Sequence, residues 1–575
     1  MDRRAWWRRG AWVGAVLALD LAVGAAVGHA LVAHPRSVTL DSGHSDTALF
    51  VWWLRWAPFS LGHGLNPLYT HYWNAPTGID AMWNTSILAV GILLVPVTLL
   101  LGAVAAFNAA TILGPALAAF TATIWLRRHA STPAAAIGGL VFGYSPFVIQ
   151  EANGTHLHLT WMVLVPLMVM LVEDIGWRRD RPWTRAGPWL GLAAAVQWFV
   201  SAEMLLIAGI ACAVGLLALA AGRRDVARVR WRPAALAFGV AGAVAALLLA
   251  GPVLEQYTPS HVIHGPLQPM NRWQTRLAFL VSPPGTLRFH TASSAATAFR
   301  HVGYENGMYV GVPLLLLLVG AVAWMRRRPG VVAAAVVIVV LFVLSLGGAG
   351  PWRLVEDAVA PLQSLLPLRF AALMWLAIAF ILALLFDAVA ALDRPAVRAA
   401  GLAGAALCLL PLLPAGLTRV GPIEPVPSFF TSSQVDVLPQ GTNALVVPMP
   451  LNEYDAGFIW QAAADMRFAQ PASIALRPFG PHRRATFFPQ ADDLVHWFAV
   501  DGPTAYFAGP ATPADTLAIR RDLTRAGVSV VLLVPSSARP GQYDVVRAVF
   551  DRGPDLSEGG VDLWWVTPPA GHSLR

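Results

Sequence analysis

The sequence predicts a polytopic α-helical membrane protein that ends in a small α/β domain. Hydrophobic residues make up 56% of the 575 positions and charged residues 13%, with a mean hydropathy of +0.57. Up to about residue 416, apolar runs repeatedly reach the ~18–20 residues that a helix needs to cross a bilayer. Beyond that point prolines, polar residues and short strand-like runs take over.

The net charge of +8 would point to nucleic acid in a soluble protein. Here the arginines fall in short runs between apolar spans, as the positive-inside pattern requires, so nucleic acid is excluded as a partner. There is no lysine. Cys212 and Cys408 both sit in apolar spans and read as packing residues, not as a disulfide or a metal site.

Taken in order, Arg3, Arg4, Arg8 and Arg9 precede an apolar run from about 11 to 33. That run exceeds the ~7–15 residues of a signal-peptide core, so it reads as a retained first helix with a cytoplasmic N-terminus. Further spans are expected near 108–126, 132–148, 159–176, 187–202, 203–221, 233–254, 307–325, 331–349, 369–391 and 397–416. Inside turns are marked by Arg127-Arg128-His129, Arg178-Arg179, Arg223-Arg224, Arg326-Arg327-Arg328 and Arg394. The count is about eleven, an odd number that puts the C-terminus outside the cell membrane. Residues 87–104, with Pro96 inside, are expected to be re-entrant or interfacial, because a crossing there would flip every later arginine cluster. This gives a membrane domain over 1–416, whose first outer loop is 34–86, and an extracytoplasmic α/β domain over 417–575. In the latter, 443–448 and 528–535 read as buried strands, and 520–527 as a helix stopped by Gly527.

The polar residues of interest gather on the outer face. Asp41, His44 and Asp46 stand in the first loop, directly before the aromatic run that contains Trp52, Trp53 and Trp56. Such a run reads as a helix at headgroup depth. Loop carboxylates are usually solvated or cap helices, and Asp46 is placed to do so. The aromatic helix and the polar residues expected on the same face favour catalysis, with Asp46 first and Asp41 second. His156 and His158 would point the same way on a strand and about 200° apart on a helix. They suit hydrogen bonds to a phosphate or sugar, or a structural role at a helix start; no third ligand is close enough in sequence to indicate zinc. Glu203, between two apolar runs, must lie near the surface or face a wet cavity. Glu305 joins the arginines of the long loop, of which Arg272 and Arg276, with Arg369 further on, border apolar runs and suit an anionic headgroup. No cofactor and no metal site are expected; a divalent ion is left open, without a clear ligand cluster in the sequence to hold it.

The acidic loop Gly43-His44-Ser45-Asp46, the helix ending in Trp56, Gly64-Leu65-Asn66-Pro67 and Ala75-Pro76-Thr77-Gly78 together resemble the bacterial integral-membrane glycosyltransferases of GT-C type. The resemblance continues through Gly143-Tyr144-Ser145-Pro146, the His156/His158 loop, Ser201-Ala202-Glu203 and Pro367-Leu368-Arg369-Phe370. It is greatest to actinobacterial members that carry a C-terminal extracytoplasmic domain. It implies transfer of a sugar from a polyprenyl-phosphate donor to a glycan, lipid or protein acceptor, with inversion, and a first-loop acid as base, for which Asp46 is the matching position. A transporter or lipid-handling protein is the other reading, although its polar residues would gather at the midplane.

Overall fold

The computed structural model describes residues 3–41, 46–178, 182–268, 273–300, 302–451, 454–471, 473–487, 493–499 and 510–568. The chain divides into two compact units. One comprises Met1–Ala33, Ala109–Ala250 and Pro266–Thr418; the other comprises His34–Asn108, Gly251–Gly265 and Arg419–Arg575. The first outer loop thus shares a unit with the C-terminal segment.

The first unit is helical. Among the described residues seven helices are long and apolar enough to cross a membrane, and Trp12–Val27, Val312–Trp324 and Pro329–Ser345 are shorter apolar helices. The Ala371–Ala390 helix is buried along most of its length, as expected of a helix that is apolar all round and sits inside a bundle. In contrast, Arg224–Gln256 and Pro395–Leu412 are mostly exposed, which suits lipid-facing positions.

The longest helical run, Trp183–Gly222, is broken at Ser201, whose backbone is extended (φ −163°, ψ 107°). Ile175 shares a small core with Ala186, while its neighbour Gly176 packs on Leu216. In a straight helix 186 and 216 would stand about 45 Å apart, so the run doubles back at Ser201. The two arms correspond to the separate spans expected over 187–202 and 203–221. A Cβ on Gly187 would lie 2.8 Å from the Ala237 carbonyl, so a side chain is excluded where the first arm meets Arg224–Gln256.

The second unit holds a six-stranded sheet. Its order is Leu556–Glu558, Val561–Trp565, Val530–Leu533, Thr442–Val447, Phe468–Pro471 and Trp73–Ala75. The four strands from 530–533 to 73–75 run parallel, and the other two pairings are antiparallel. The Val-rich 530–533 strand is buried at every residue, the pattern of a strand covered on both faces. The Asp46–Gly62 helix packs its tryptophans into this unit. Trp52, Trp53 and Trp73 have ring centroids 4.9–5.4 Å apart, and Trp73 lies 4.4 Å from Phe458. Residues 87–104 form short helices, Leu88–Leu93 and Val95–Leu101, before the Ala103–Leu126 helix begins. Each of the two short helices rises only about 10 Å, and Ile92, Leu93, Leu99 and Leu100 are exposed.

Candidate functional site

Five ionisable side chains from four stretches of the first unit converge in an otherwise apolar bundle. Glu151 ends the Pro146–Asn153 helix, which starts with Pro146 at its first turn and Ser145 capping the Val148 N–H. The chain then turns through Thr155 in the left-handed region (φ 65°), which brings His156 back so that its Nδ1 lies 2.6 Å from Glu151 Oε2. Glu203 occupies the first turn of the arm that returns from Ser201, whose hydroxyl accepts from the Met204 N–H. A carboxylate is favoured at that helix end. Glu305 comes from a 3₁₀ turn at 303–305, and Arg369 from the 3₁₀ turn Pro367–Phe370 that feeds the central helix.

Arg369 binds the group together. Its Nε and Nη2 donate to the two oxygens of Glu305 at 3.0 and 2.6 Å. Its Nη1 donates to Glu203, whose other oxygen accepts from the Leu366 N–H at 3.0 Å. The bidentate fork is the geometry guanidinium makes with carboxylate. Burial alone would raise the Glu305 carboxyl. Arg369 foremost, with His156 and hydrogen bonds from Arg369 and Glu151, outweighs that and holds it below the usual range. Three carboxyl groups face one guanidinium and one imidazole, and two of them, Glu151 and Glu305, share a hydrogen bond. His156 and Glu203 keep some side-chain surface (19% and 18%), while Glu151 has none.

Glu151, His156 and Glu305 offer ligand atoms within 4.8 Å of one another, and two carboxylates with an imidazole suit a divalent ion. Both Glu305 oxygens already accept from Arg369, however, so an ion would have to displace the guanidinium that occupies the cation's place.

The other expected site residues fall differently. His158 is nearly buried, its ring 6.2 Å from that of His156. Arg369, expected to hold a phosphate, instead has its guanidinium committed to carboxylates. Arg276 is exposed at the cap of a 3₁₀ turn and makes none of the cluster's bonds. In the second unit Asp41 pairs with Arg419, across the short antiparallel pairing of 38–40 with 420–422. Asp46 is the first residue of its helix and half-buried. Trp53 and Trp56 are 2% and 1% exposed, so they are core residues and not a stacking platform. Their polar ends are satisfied inside the unit, Trp56 by the Pro67 carbonyl and the adjacent Trp52 by Gln461. His44 and Arg272 lie outside the described residues. Glu151 was not among the expected site residues, although its place five residues before His156 was a signal in the sequence.

The second unit has its own buried acid. Asp80 Oδ1 accepts from the Met82 and Trp83 N–H groups at 2.8 and 3.0 Å, and His261 Nδ1 lies 3.7 Å from Oδ2. Burial pushes its carboxyl up to about 6, against the pull of the two backbone bonds and His261, with Glu255 adding to the rise.

No protein-family model and no curated protein matches the sequence. Among solved structures, the mycobacterial arabinofuranosyltransferase AftD matches over 99% of this chain at 16% identity, with a TM-score of 0.50. A second structure of that enzyme gives 0.51 at 14% identity. The chain has a GT-C fold. It spans only 40% of the length of AftD. Lower likenesses are to the Archaeoglobus fulgidus oligosaccharyltransferase (12% identity, 98% and 75% of the two chains, TM-score 0.49) and to ArnT of Cupriavidus metallidurans bound to undecaprenyl phosphate (13%, 96% and 98%, 0.49). With its apolar helices, the GT-C fold makes this a multi-pass membrane protein.

Proposed function

We propose that the protein is a membrane glycosyltransferase that moves a sugar from a polyprenyl-phosphate donor to an extracytoplasmic cell-envelope glycan, lipid or protein. The observation that carries this reading is the buried acidic cluster around Arg369 in a bundle of GT-C fold. Ionisable groups among membrane helices are costly and mark function by default. In this reading the chain crosses the membrane about eleven times, as the positive-inside pattern requires. Its N-terminus is cytoplasmic and its C-terminal segment extracytoplasmic.

Asp46 takes the proton from the acceptor hydroxyl as the oxygen attacks the anomeric carbon, a general-base step worth about 10²–10⁴-fold. The bond to the lipid phosphate breaks with its electron pair going to the phosphate, and the anomeric centre inverts. Within the first unit, Glu151 orients His156 through Nδ1. Glu203, Glu305 and Arg369 position His156 and do not touch the lipid.

Purified protein would be incubated with a panel of polyprenyl-phosphate sugars and an envelope acceptor extract, with release of the lipid phosphate as readout. Turnover with at least one donor is expected, and Asp46→Asn should lower it at least 100-fold with the thermal transition unchanged. Full activity in Asp46→Asn would remove the base assignment. Absence of turnover across the panel would remove the donor class.

A further inference from the structure

From residue 466 to 491, within the second unit, the sequence holds four arginines and no acidic residue. Inside this stretch the strands Arg477–Phe479 and Arg484–Thr486 pair antiparallel, so that Phe479 stands opposite Arg484. The connection turns on Gly480, whose φ of +67° disfavours any side chain. Phe479, Gly480, Pro481, His482 and Arg484 are all exposed. Phe479 keeps 45% of its surface accessible, although phenylalanine is among the residues most often buried.

The hairpin is fastened to the chain just past the end of an apolar helix. His264 forms a parallel bridge with Arg484, and its N–H donates to the Arg483 carbonyl at 2.8 Å. Arg483 Nη2 donates to the Ser260 carbonyl at 2.5 Å. Residues 257–264 follow directly on Arg224–Gln256, a helix long and apolar enough to cross a membrane. Leu254 in its last turn and Tyr257 just beyond it are exposed, which suits a chain leaving lipid with a tyrosine at headgroup depth. Neither Arg483 nor Arg484 is paired with an acid among the described residues. Glu255, the one acid of the 251–265 segment, faces His261 at 3.7 Å. An exposed aromatic ring beside unpaired cations is the chemistry of a peripheral contact with anionic lipid.

We propose that the tip of this hairpin rests on the anionic lipid surface at the Gln256 end of the Arg224–Gln256 helix, with Phe479 in the headgroup layer and Arg484 at a lipid phosphate. Arg483 adds charge behind it. The contact is separate from the proposed transferase chemistry and stands without it.

The full chain carrying Pro481→Cys in a Cys212→Ala, Cys408→Ser background would be labelled at 481 with an environment-sensitive fluorophore. It would then be reconstituted into nanodiscs of phosphatidylcholine alone or mixed with phosphatidylglycerol. Lipids spin-labelled near the headgroup should quench the label at least threefold more strongly in the anionic discs. High salt should remove that difference, because exposed charges are screened. Arg484→Gln should bring the anionic discs down to the phosphatidylcholine level, and Phe479→Ser should lower quenching in both, each at an unchanged thermal transition. Equal quenching in the two discs, none in either, or no effect of Arg484→Gln would overturn the proposal. So would burial of the label that grows with protein concentration and not with anionic lipid, which would assign the tip to a second copy of the chain.

Discussion

Arg369 carries more of the site than any other single side chain, because removing it leaves two carboxylates facing each other in a buried space. Truncating one partner of such a network typically costs about 3–5 kcal/mol. Arg369→Ala should therefore lower the thermal transition markedly, and Arg369→Lys should recover only part, since an ammonium cannot bridge Glu203 and both oxygens of Glu305. The same geometry predicts a gain. With the guanidinium gone, Glu151, His156 and Glu305 are open to a divalent ion, and binding to the folded state alone raises its stability. Manganese should raise the transition of Arg369→Ala and leave the wild type unmoved; an equal shift in both would show that Arg369 is not the cation of the cluster. Asp80 gives a prediction of a different kind. Its carboxyl sits near 6 when folded, against about 3.9 unfolded, so folding favours the protonated form. Its contribution is fully present below about pH 3.9 and is lost as pH rises through 6, on the order of 2–3 kcal/mol. Asp80→Asn keeps the acceptor for Met82 and Trp83 and cannot ionise. Its melting temperature should gain on the wild type between pH 4.5 and 7.5, and parallel curves would refute the shift.

Among the elements, the hairpin at Ser201 was legible in the sequence and the aromatic helix was misread, for physical reasons that can be named. Ser201-Ala202-Glu203 interrupts a long apolar run with a cap residue and a first-turn acid, which is how a helix start looks anywhere. If the hydroxyl caps the returning arm, Ser201→Ala should cost about 1 kcal/mol and Ser201→Gly only a few tenths, measured as the shift in thermal transition; identical losses would mean the kink is held by packing alone. The Trp52-Trp53-Trp56 run, by contrast, fits two environments equally well. Tryptophan gathers at membrane interfaces and in cores for the same reason, a large apolar body with one N–H that needs a partner. What separates the two is the partner, and Gln461 is too distant in sequence for any local pattern to reveal. Within 87–104, Pro96 sits in the first turn of the Val95–Leu101 helix and Gly102 caps its end, so the limits of that helix were visible in the sequence. Glu151 was missed since a lone glutamate at a helix end is ordinary until Glu305 and Arg369 are seen beside it.

At the scale of the whole molecule, the change of composition near 417 marks where strands begin but not what they fold with. The sheet's edge strand Trp73–Ala75 pairs with Phe468–Pro471, and Gln461 accepts from Trp52 while donating to the Tyr72 carbonyl. The short 251–265 segment joins the same unit through the Trp83 bond to the Gln256 carbonyl and the His264 bond to Arg483. Pairings over such distances leave no periodicity in either partner. They do have a thermodynamic consequence. Trp52, Trp53, Trp56 and Trp73 are all buried to within 2%, each worth roughly 150–250 Å² of surface. At about 25 cal/mol per Å², exposing even half of that area costs about 10 kcal/mol, comparable to the whole stability of a typical domain. A chain ending at Thr418 should therefore fail to fold its 34–108 segment and be degraded in the membrane. Supplying 419–575 as a separate, exported fragment should restore it, because the missing cover is non-covalent and the break falls at the boundary between units. Co-expression followed by purification on a tag carried by the first fragment tests this directly. Recovery of both fragments together is expected, with loss of the first when expressed alone. A stable, trypsin-resistant 1–418 fragment would show instead that the tryptophan helix finds its cover within the first 418 residues.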